Sequence, residues 1–172
     1  MIVGISGKAG HGKNTLGMFI AMNLRGRGIT SKTVALADHL KLDAQQYMGW
    51  NGEKDAVGRF ALQKYGELMR QGNPNYWIKR LETPAMMASN DVYIITDIRY
   101  KNEAEWLRKN GGFIVRVEAT KDGEPIPSDD HISETDLDDW KDWDWMVTAE
   151  YGDLDTLWKY AVRIAEMVVY KL

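Results

Sequence analysis

Residues 7–13 constrain this chain more than any other part of its sequence. They read G-x-x-x-x-G-K and stand between a short apolar run and a stretch of helical periodicity. Small residues let backbone N–H groups converge on an anion, and the positive end of the following helix adds attraction. The lysine of such a loop reaches the β- and γ-phosphates of a nucleotide. We therefore predict a phosphate loop formed by Gly7, Lys8, Ala9, Gly10, His11, Gly12, Lys13, Asn14 and Thr15.

The residue after the loop lysine departs from the usual pattern. A Ser or Thr in that position holds Mg²⁺, whereas this chain has Asn14 followed by Thr15. Because an amide is a poorer magnesium ligand than a hydroxyl, we expect a metal here to be held largely by waters and a distant carboxylate. Thr15 is then expected to contact phosphate rather than metal.

Short apolar runs alternate with longer segments of helical period along the chain. Strands separated by helices indicate a parallel sheet with helices on both faces and right-handed crossovers. The predicted fold is therefore α/β, a five-stranded parallel sheet in one domain over residues 1–172, with a lid or loop at 119–133. The predicted strands are 2–6, 33–37, 91–96, 113–118 and 145–148. The first predicted helix follows the phosphate loop, four more cover 40–50, 55–71, 76–87 and 102–109, and the last begins at 154.

Composition excludes several classes of protein. The 172 residues include no cysteine, which removes disulfides, thiolate metal sites and a cysteine nucleophile. The net charge of −3 gives no bulk attraction to nucleic acid or to an anionic membrane. No apolar run approaches the roughly 20 residues of a membrane span, and the first residues predict a strand rather than a secretory leader. We expect a cytoplasmic protein with a small-molecule partner, and neither nucleic acid nor a membrane as partner.

Asp97 and Arg99 follow an apolar strand that is predicted to end beside the phosphate loop. A carboxylate at such a strand end is where an Asp that anchors magnesium is expected. Arg99 could bind a phosphate of the acceptor or the transferring group. A turn-forming Asp followed by a surface Arg is an equally good interpretation of the two residues alone.

Gln63, Gly66 and Arg70 share one face of the predicted helix 55–71, because they are spaced at i, i+3 and i+7. An Arg there can bind a monophosphate through two hydrogen bonds, and Gln63 can read a base edge or a sugar. Gly66 would leave room for the ligand. An ordinary polar helix face is the alternative interpretation.

Three further residues are weaker candidates for the acceptor site. Asp38 and Lys41 follow the second predicted strand, at the edge of the sheet where α/β proteins bind ligands. Lys41 could meet an acceptor phosphate or stand at a solvated helix start. Trp77 could stack on a base, although a Trp beside helical apolar residues is more often part of a core.

The polar region after the fourth predicted strand carries no catalytic pattern of its own. Ser133 and Asp136 fit a helix-capping arrangement. The acidic run 136–144 is expected to be a solvated face.

Five segments are most specific when they are taken together. They are residues 7–15; Leu62, Gln63, Gly66, Arg70, Tyr76 and Trp77; residues 96–99 with 102–105; residues 111–113; and His131, Ser133 and Glu134. In this order they resemble the deoxynucleoside monophosphate kinases of the bacteriophage type. The phosphate loop is generic, whereas the Asp-Ile-Arg…Asn-Glu run and the His-x-Ser-Glu segment narrow the resemblance.

The resemblance implies a P-loop kinase fold with ATP on the phosphate loop and a deoxynucleoside monophosphate (dNMP) as acceptor. It implies Lys13 and Thr15 on ATP phosphates, Arg70 and Arg99 around the acceptor phosphate, and Asp97 as the metal-binding carboxylate. The implied reaction is ATP + dNMP → ADP + dNDP, by in-line transfer with Mg²⁺ between the β- and γ-phosphates. The resemblance also makes a homodimer, in the cytoplasm of a bacterial host, a reasonable expectation.

Three alternatives stay open from the sequence. The first is a kinase of the same fold for another phosphorylated metabolite, such as phosphomevalonate or dephospho-coenzyme A. The second is a nucleotide-binding regulator that hydrolyses ATP slowly without an acceptor. The third is a kinase that processes nucleic-acid ends, which the acidic charge balance and the missing basic stripe disfavour.

Overall fold

The computed structural model describes residues 1–53, 55–87, 89, 91–127 and 130–172, with the backbone alone for residues 85 and 87. The chain divides into two compact units. Unit 1 comprises Met1–Val34 and Asn90–Leu172, and unit 2 comprises Ala35–Ser89. The organisation as one domain stays a prediction.

Unit 1 is built around a sheet that has six strands among the described residues. They are β1 (Ile2–Ser6), β2 (Ser31–Val34), β3 (Val92–Ile98), β4 (Phe113–Lys121), β5 (Glu124–Pro125) and β6 (Trp145–Glu150). The strand order is β2-β3-β1-β4-β5, and β6 also pairs with β4. All neighbouring pairs are parallel except β4–β5. The predicted α/β class is confirmed.

The sixth strand corrects the predicted count of five. The segment predicted as a loop starts as a continuation of β4, turns at Asp122 and Gly123, and returns as the antiparallel β5. Both turn residues have positive φ, at 54° and 83°. Asp-Gly is a favoured pair for a two-residue hairpin turn of this kind. Residues 128 and 129 of the predicted lid lie outside the described residues, and the lid stays a prediction.

The described residues form eight helices. They are α1 (Lys13–Gly26), α2 (Leu36–Met48), α3 (Ala56–Gly72), α4 (Tyr76–Leu81), α5 (Pro84–Met87), α6 (Lys101–Lys109), α7 (Ile132–Thr135) and α8 (Leu154–Lys171). None of the helices in this described part combines the length and apolar character that a membrane crossing requires.

Alternation along β1 places helices on both faces of the sheet. Val3 and Ile5 lie in the main core with residues of α1 and α8. Gly4 points the opposite way, where an added Cβ would lie 2.2 Å from Cδ1 of Leu107 in α6. Successive strand residues face opposite sides of a sheet, so α1 and α8 cover one face and α6 covers the other, as predicted.

Unit 2 contains α2, α3, α4 and α5. The predicted strand 33–37 and helix 40–50 are wrong in their boundaries, because β2 ends at Val34 and α2 begins at Leu36. Leu36, Asp43 and Ala44 are buried on α2 at i, i+7 and i+8, so the helical period begins inside the apolar run that was assigned to a strand. Short apolar runs do not distinguish the two structures by themselves.

Gly17 marks a close approach between α1 and β3, and its substitution tests this packing. A Cβ at Gly17 would lie 2.6 Å from Cγ2 of Thr96, whereas Gly26 of the same helix has no atom within 4 Å of its ideal Cβ. We expect Gly17→Ala to lower the free energy of unfolding by about 1–3 kcal/mol, because overpacking outweighs the gain in helix propensity. Gly26→Ala, the control, should raise it by at most about 1 kcal/mol. Urea unfolding measures both, and a Gly17→Ala variant as stable as the parent would contradict the close approach.

Candidate active site

The predicted phosphate loop joins β1 to α1. Gly10 and Gly12 have left-handed φ values of 80° and 86°, and Gly12 is the N-cap of α1. At Gly7 a Cβ would lie 2.5 Å from the carbonyl oxygen of Val117 in β4, so only glycine fits. The first N–H groups of a helix have no partner within the helix. Together with the glycine-rich loop they form an anion-binding site at the start of α1.

Lys13 crosses the loop that it follows. Its Nζ donates a hydrogen bond to the carbonyl oxygen of Lys8 at 2.7 Å, and the residue is 8% exposed. Burial, followed by the charge of Arg99, lowers the pKa of Lys13 to about 8, although Glu134 and Asp97 act in the opposite direction. The positive charge of Lys13 is therefore little solvated and not fully offset by the neighbouring carboxylates, so a bound anion would stabilise it.

Asp97 and Arg99 lie close enough to Lys13 for their charges to act on its pKa. Asp97 is buried inside β3, which continues through Ile98, so the prediction that Asp97 closes this strand is wrong. The backbone N–H of Arg99 donates to Oε2 of Glu103 at 2.8 Å. Since Glu103 lies in the first turn of α6, this bond fixes where the chain leaves β3.

Glu134 connects Arg99 to the phosphate loop. Its Oε2 accepts a hydrogen bond from the backbone N–H of Ala9 at 2.7 Å, and its Oε1 accepts one from Nη1 of Arg99. The same Nη1 donates to the carbonyl oxygen of Ser133 at 3.3 Å. The side chain of Glu134 is only 7% exposed. Glu134 was part of the resemblance but was not assigned a role from the sequence.

Arg116 and Asp138 are site residues that the sequence analysis missed. Arg116 of β4 is 6% exposed, and its guanidinium donates to Oγ of Ser6 at 3.3 Å and to Oδ1 of Asp138 at 3.2 Å. The other oxygen of Asp138 lies 3.2 Å from Nζ of Lys8. An arginine inside the otherwise apolar run 113–117 was the available signal, because a buried charge is retained only with partners.

His11 ties the phosphate loop to the strand beside it. The residue is buried, and its Nδ1 accepts a hydrogen bond from the backbone N–H of Ala119 at 3.1 Å. Burial, followed by the charges of Lys13 and Arg116, lowers the pKa of His11. At neutral pH the ring is therefore uncharged and acts as an acceptor. Beyond it, Asn14 is exposed and Thr15 half-buried in the first turn of α1.

The segment after residue 130 corrects two expectations. His131, not Ser133, is the N-cap of α7, because Nδ1 of His131 accepts from the backbone N–H of Ser133 at 3.1 Å. The acidic run is not simply a solvated face. Asp136 accepts from the backbone N–H of Lys101 at 2.8 Å, and Asp144 accepts from that of Ile114 at 2.7 Å. These carboxylates satisfy backbone donors of α6 and β4, which hydropathy cannot indicate.

Unit 2 holds the other candidates. An added Cβ at Gly66 would lie 3.2 Å from Nη1 of Arg70. The absence of a side chain at Gly66 therefore leaves room for the guanidinium of Arg70, whereas the sequence analysis expected it to leave room for a ligand. Trp77 is 2% exposed, and its indole N–H donates to the carbonyl oxygen of Gly66 at 3.4 Å. It joins α4 to α3, and base stacking by Trp77 stays a prediction. Gln63 is half-buried on α3.

Asp38 and Lys41 lie in the first two turns of α2 rather than in a loop. Nζ of Lys41 lies 2.8 Å from Oδ1 of Asp38. The two side chains are partly exposed, at 58% for Asp38 and 32% for Lys41. An exposed pair of this kind contributes little to stability, so Lys41 can exchange its partner at small cost.

The metal-binding side chains near the loop fit a magnesium ion that is held mainly by the phosphates of the substrate. In the part of the chain that the structure describes, no three His, Asp or Glu side chains are grouped to hold a metal by themselves. Mg²⁺ typically uses one or two carboxylates together with substrate phosphates and waters. The buried carboxylate of Asp97 beside Lys13 is compatible with that kind of site.

The fold and the loop together define a P-loop kinase: a parallel sheet whose central strand β1 runs into a glycine-rich loop and a helix. Residues 61–160 match the family model of the deoxynucleotide monophosphate kinases. This match covers more than half of the 172 residues, so the chain belongs to that family. The matched segment begins after the phosphate loop and includes Arg70, Asp97 and Glu134. The protein is accordingly an ATP-dependent kinase.

Solved structures with the same fold are distant in sequence. Shikimate kinase from Acinetobacter baumannii, in complex with shikimate, is 15% identical with a TM-score of 0.51, over 99% of this chain and 93% of that one. Shikimate kinase from Bacteroides thetaiotaomicron is 15% identical with a TM-score of 0.50, over 98% of both chains. At this identity the likeness supports the fold alone. No curated protein matches the sequence significantly.

We expect ATP binding to be coupled to proton uptake above neutral pH. The pKa of Lys13 is about 8, and phosphate charges beside Nζ would raise it. At pH 8.5, binding should therefore take up on the order of half a proton at this group, and much less at pH 7, where Lys13 is already mostly charged. Calorimetric titrations in two buffers of different ionisation enthalpy measure this uptake. Equal binding enthalpies in both buffers at pH 8.5 would contradict the lowered pKa.

Proposed function

We propose that the protein is a deoxynucleoside monophosphate kinase, which transfers the γ-phosphoryl group of ATP to a dNMP and yields ADP and dNDP. The observation that supports this most is the family match over residues 61–160. The charge of the site is in keeping with it. Lys8, Lys13, Arg99 and Arg116 all lie around the loop or act on it electrostatically.

The phosphate loop would bind ATP through backbone and side-chain donors. The N–H groups of residues 8–15 would surround the β- and γ-phosphates, and Lys13 would turn from the carbonyl of Lys8 to those phosphates. Thr15 would add a hydroxyl at the start of α1. Because the attacking oxygen of a dNMP is already ionised, these residues would act by positioning and by neutralising charge.

The acceptor would be bound by Arg70 and Arg99. A guanidinium can hold a monophosphate through two parallel hydrogen bonds, which fixes the orientation of the phosphate as well as its position. Gln63 would read the base or the sugar, with Lys41, Asp38 and Trp77 as further candidates on unit 2.

Asp97 would hold Mg²⁺, with Asn14 contributing at most through water. The ion would supply positive charge that offsets the negative charge of the phosphates. A homodimer, a cytoplasmic location and a bacteriophage origin remain proposals that rest on the family resemblance.

An acceptor panel tests the proposed function. ADP release from ATP and Mg²⁺ is measured with each dNMP and NMP, and with phosphomevalonate, dephospho-coenzyme A and shikimate. Strong stimulation by one or more dNMPs is expected, and it would identify the base as well. Stimulation by another acceptor alone would replace the substrate class within the same fold. ATP binding without any acceptor-stimulated turnover would favour a nucleotide-binding regulator.

Lys13→Ala should remove turnover and leave the protein folded. The side chain is directed across the loop, and loss of one such charge-stabilising group costs about 100- to 1000-fold in kcat. Lys109→Ala, at the exposed end of α6, is the matched control and should keep full activity. Circular dichroism and thermal unfolding confirm that both variants fold. Near-normal kcat in Lys13→Ala would contradict the proposed mechanism.

Arg70→Lys tests the acceptor site separately. Lysine keeps the charge but loses the planar pair of donors, so we expect KM for the dNMP to rise about tenfold while KM for ATP changes little. Lys64→Arg on the same helix provides a matched control, since Lys64 is exposed, pairs with Glu67 and lies outside the face shared by Gln63, Gly66 and Arg70. Steady-state kinetics with each substrate varied in turn measures the split. An unchanged KM for the dNMP would remove Arg70 from the acceptor site.

A further inference from the structure

The carboxylate of Glu134 occupies a position where an anion is expected. One of its oxygens accepts the backbone N–H of Ala9, inside the phosphate loop, at 2.7 Å. The other pairs with the guanidinium of Arg99. A backbone N–H of a phosphate loop and an arginine are both donors that commonly bind phosphate oxygens. Glu134 therefore satisfies, from within the chain, donors that a nucleotide would use.

The segment that carries Glu134 is held in place by other bonds. Asp136 accepts the backbone N–H of Lys101, and Asp138 lies between Lys8 and Arg116. The N-cap contact of His131 starts α7 independently. The contact from Glu134 to Ala9 is thus not required to position residues 131–139. The pair with Arg99 neutralises a charge, whereas the contact with Ala9 places the same carboxylate on the phosphate loop itself.

A phosphate and the Glu134 carboxylate cannot share these donors. The N–H of Ala9 has one hydrogen to donate, and two anions in contact around it would repel each other. If the carboxylate has to leave before ATP binds, the apparent dissociation constant equals the intrinsic one divided by the fraction of molecules in which Glu134 has left these donors. Its departure would also free Arg99 for a substrate phosphate.

We propose that Glu134 is an internal anion that fills part of the ATP phosphate site and pairs with Arg99 until nucleotide displaces it. The proposal deepens the proposed function and rests on ATP binding at the phosphate loop, but it does not depend on the acceptor. Glu134 is then a residue that sets nucleotide affinity and the availability of Arg99. It is not a base in the phosphoryl transfer.

The test is the affinity for MgATP, measured by calorimetry without any acceptor. Glu134→Gln keeps the shape of the side chain but removes its charge, and Glu134→Ala removes the contact altogether. We expect both variants to bind MgATP about tenfold more tightly than the parent chain, since a charge-assisted hydrogen bond no longer competes. A loss of folding would lower affinity, so a gain cannot arise from partial unfolding.

Asp139→Asn is the matched control for the loss of one negative charge. Asp139 lies on the same segment, is 72% exposed and pairs with Lys101 instead of the loop. It should leave the dissociation constant of MgATP within about twofold of the parent value. An equal gain in this control would reduce the effect to general electrostatics and overturn the proposal.

Two other outcomes would each overturn the proposal, and they differ in what they imply for the proposed function. Unchanged or weaker MgATP binding by both folded Glu134 variants would overturn the proposal, and would leave the proposed function intact if the acceptor panel is positive. Binding of MgATP by neither the parent nor the variants would overturn both.

Discussion

The close approach between the phosphate loop and the backbone of β4 sets the position of the other groups in the site. Gly7 lies against the carbonyl of Val117 so tightly that a Cβ would come within 2.5 Å of it. His11 adds a hydrogen bond from the loop to the next stretch of the same strand. The loop is therefore held against β4 before any ligand binds. Arg116, which immediately precedes the first of these contacts on β4, is placed beside Ser6 by the register of the sheet.

The cations beside the loop are paired with anions that come from one short segment of the chain. Glu134 partners Arg99, and Asp138 partners both Lys8 and Arg116. Arg116 is buried, and leaving its charge unpaired would cost on the order of several kcal/mol, so this segment makes the concentration of positive charge compatible with a folded, ligand-free chain. The same pairing means that phosphate binding exchanges internal ion pairs for external ones. The affinity for a phosphate ligand then depends on the difference between the free energy of the new ion pairs and that of the internal ion pairs they replace.

The sequence predicted those parts of the site that depend on residues close together in the chain, and it missed those that depend on residues far apart in the chain. The phosphate loop was predictable because its signal is local: glycines at fixed spacing between a strand and a helix. The link from Ala9 to Glu134 joins residues 125 positions apart, and no periodicity or spacing reports such a contact. Arg116 could have been singled out as a charge inside an apolar strand, but its partner could not. The Asp122-Gly123 turn was available locally, and was passed over because the polar composition around it resembled a loop.

The carboxylates of the site bear on the kind of acceptor that it can serve. A hydroxyl acceptor has to lose a proton during transfer, which favours a free carboxylate or imidazole within reach. Asp138 is instead paired with Lys8 and Arg116, and Nδ1 of His11 accepts a hydrogen bond from the backbone N–H of Ala119. Accepting a proton would cost these residues the bonds that hold the loop and its cations. A phosphate acceptor avoids that cost, because its attacking oxygen is already charged and needs only positioning among donors. Asp138 and His11 are therefore poorly suited to act as the base that a hydroxyl acceptor would need.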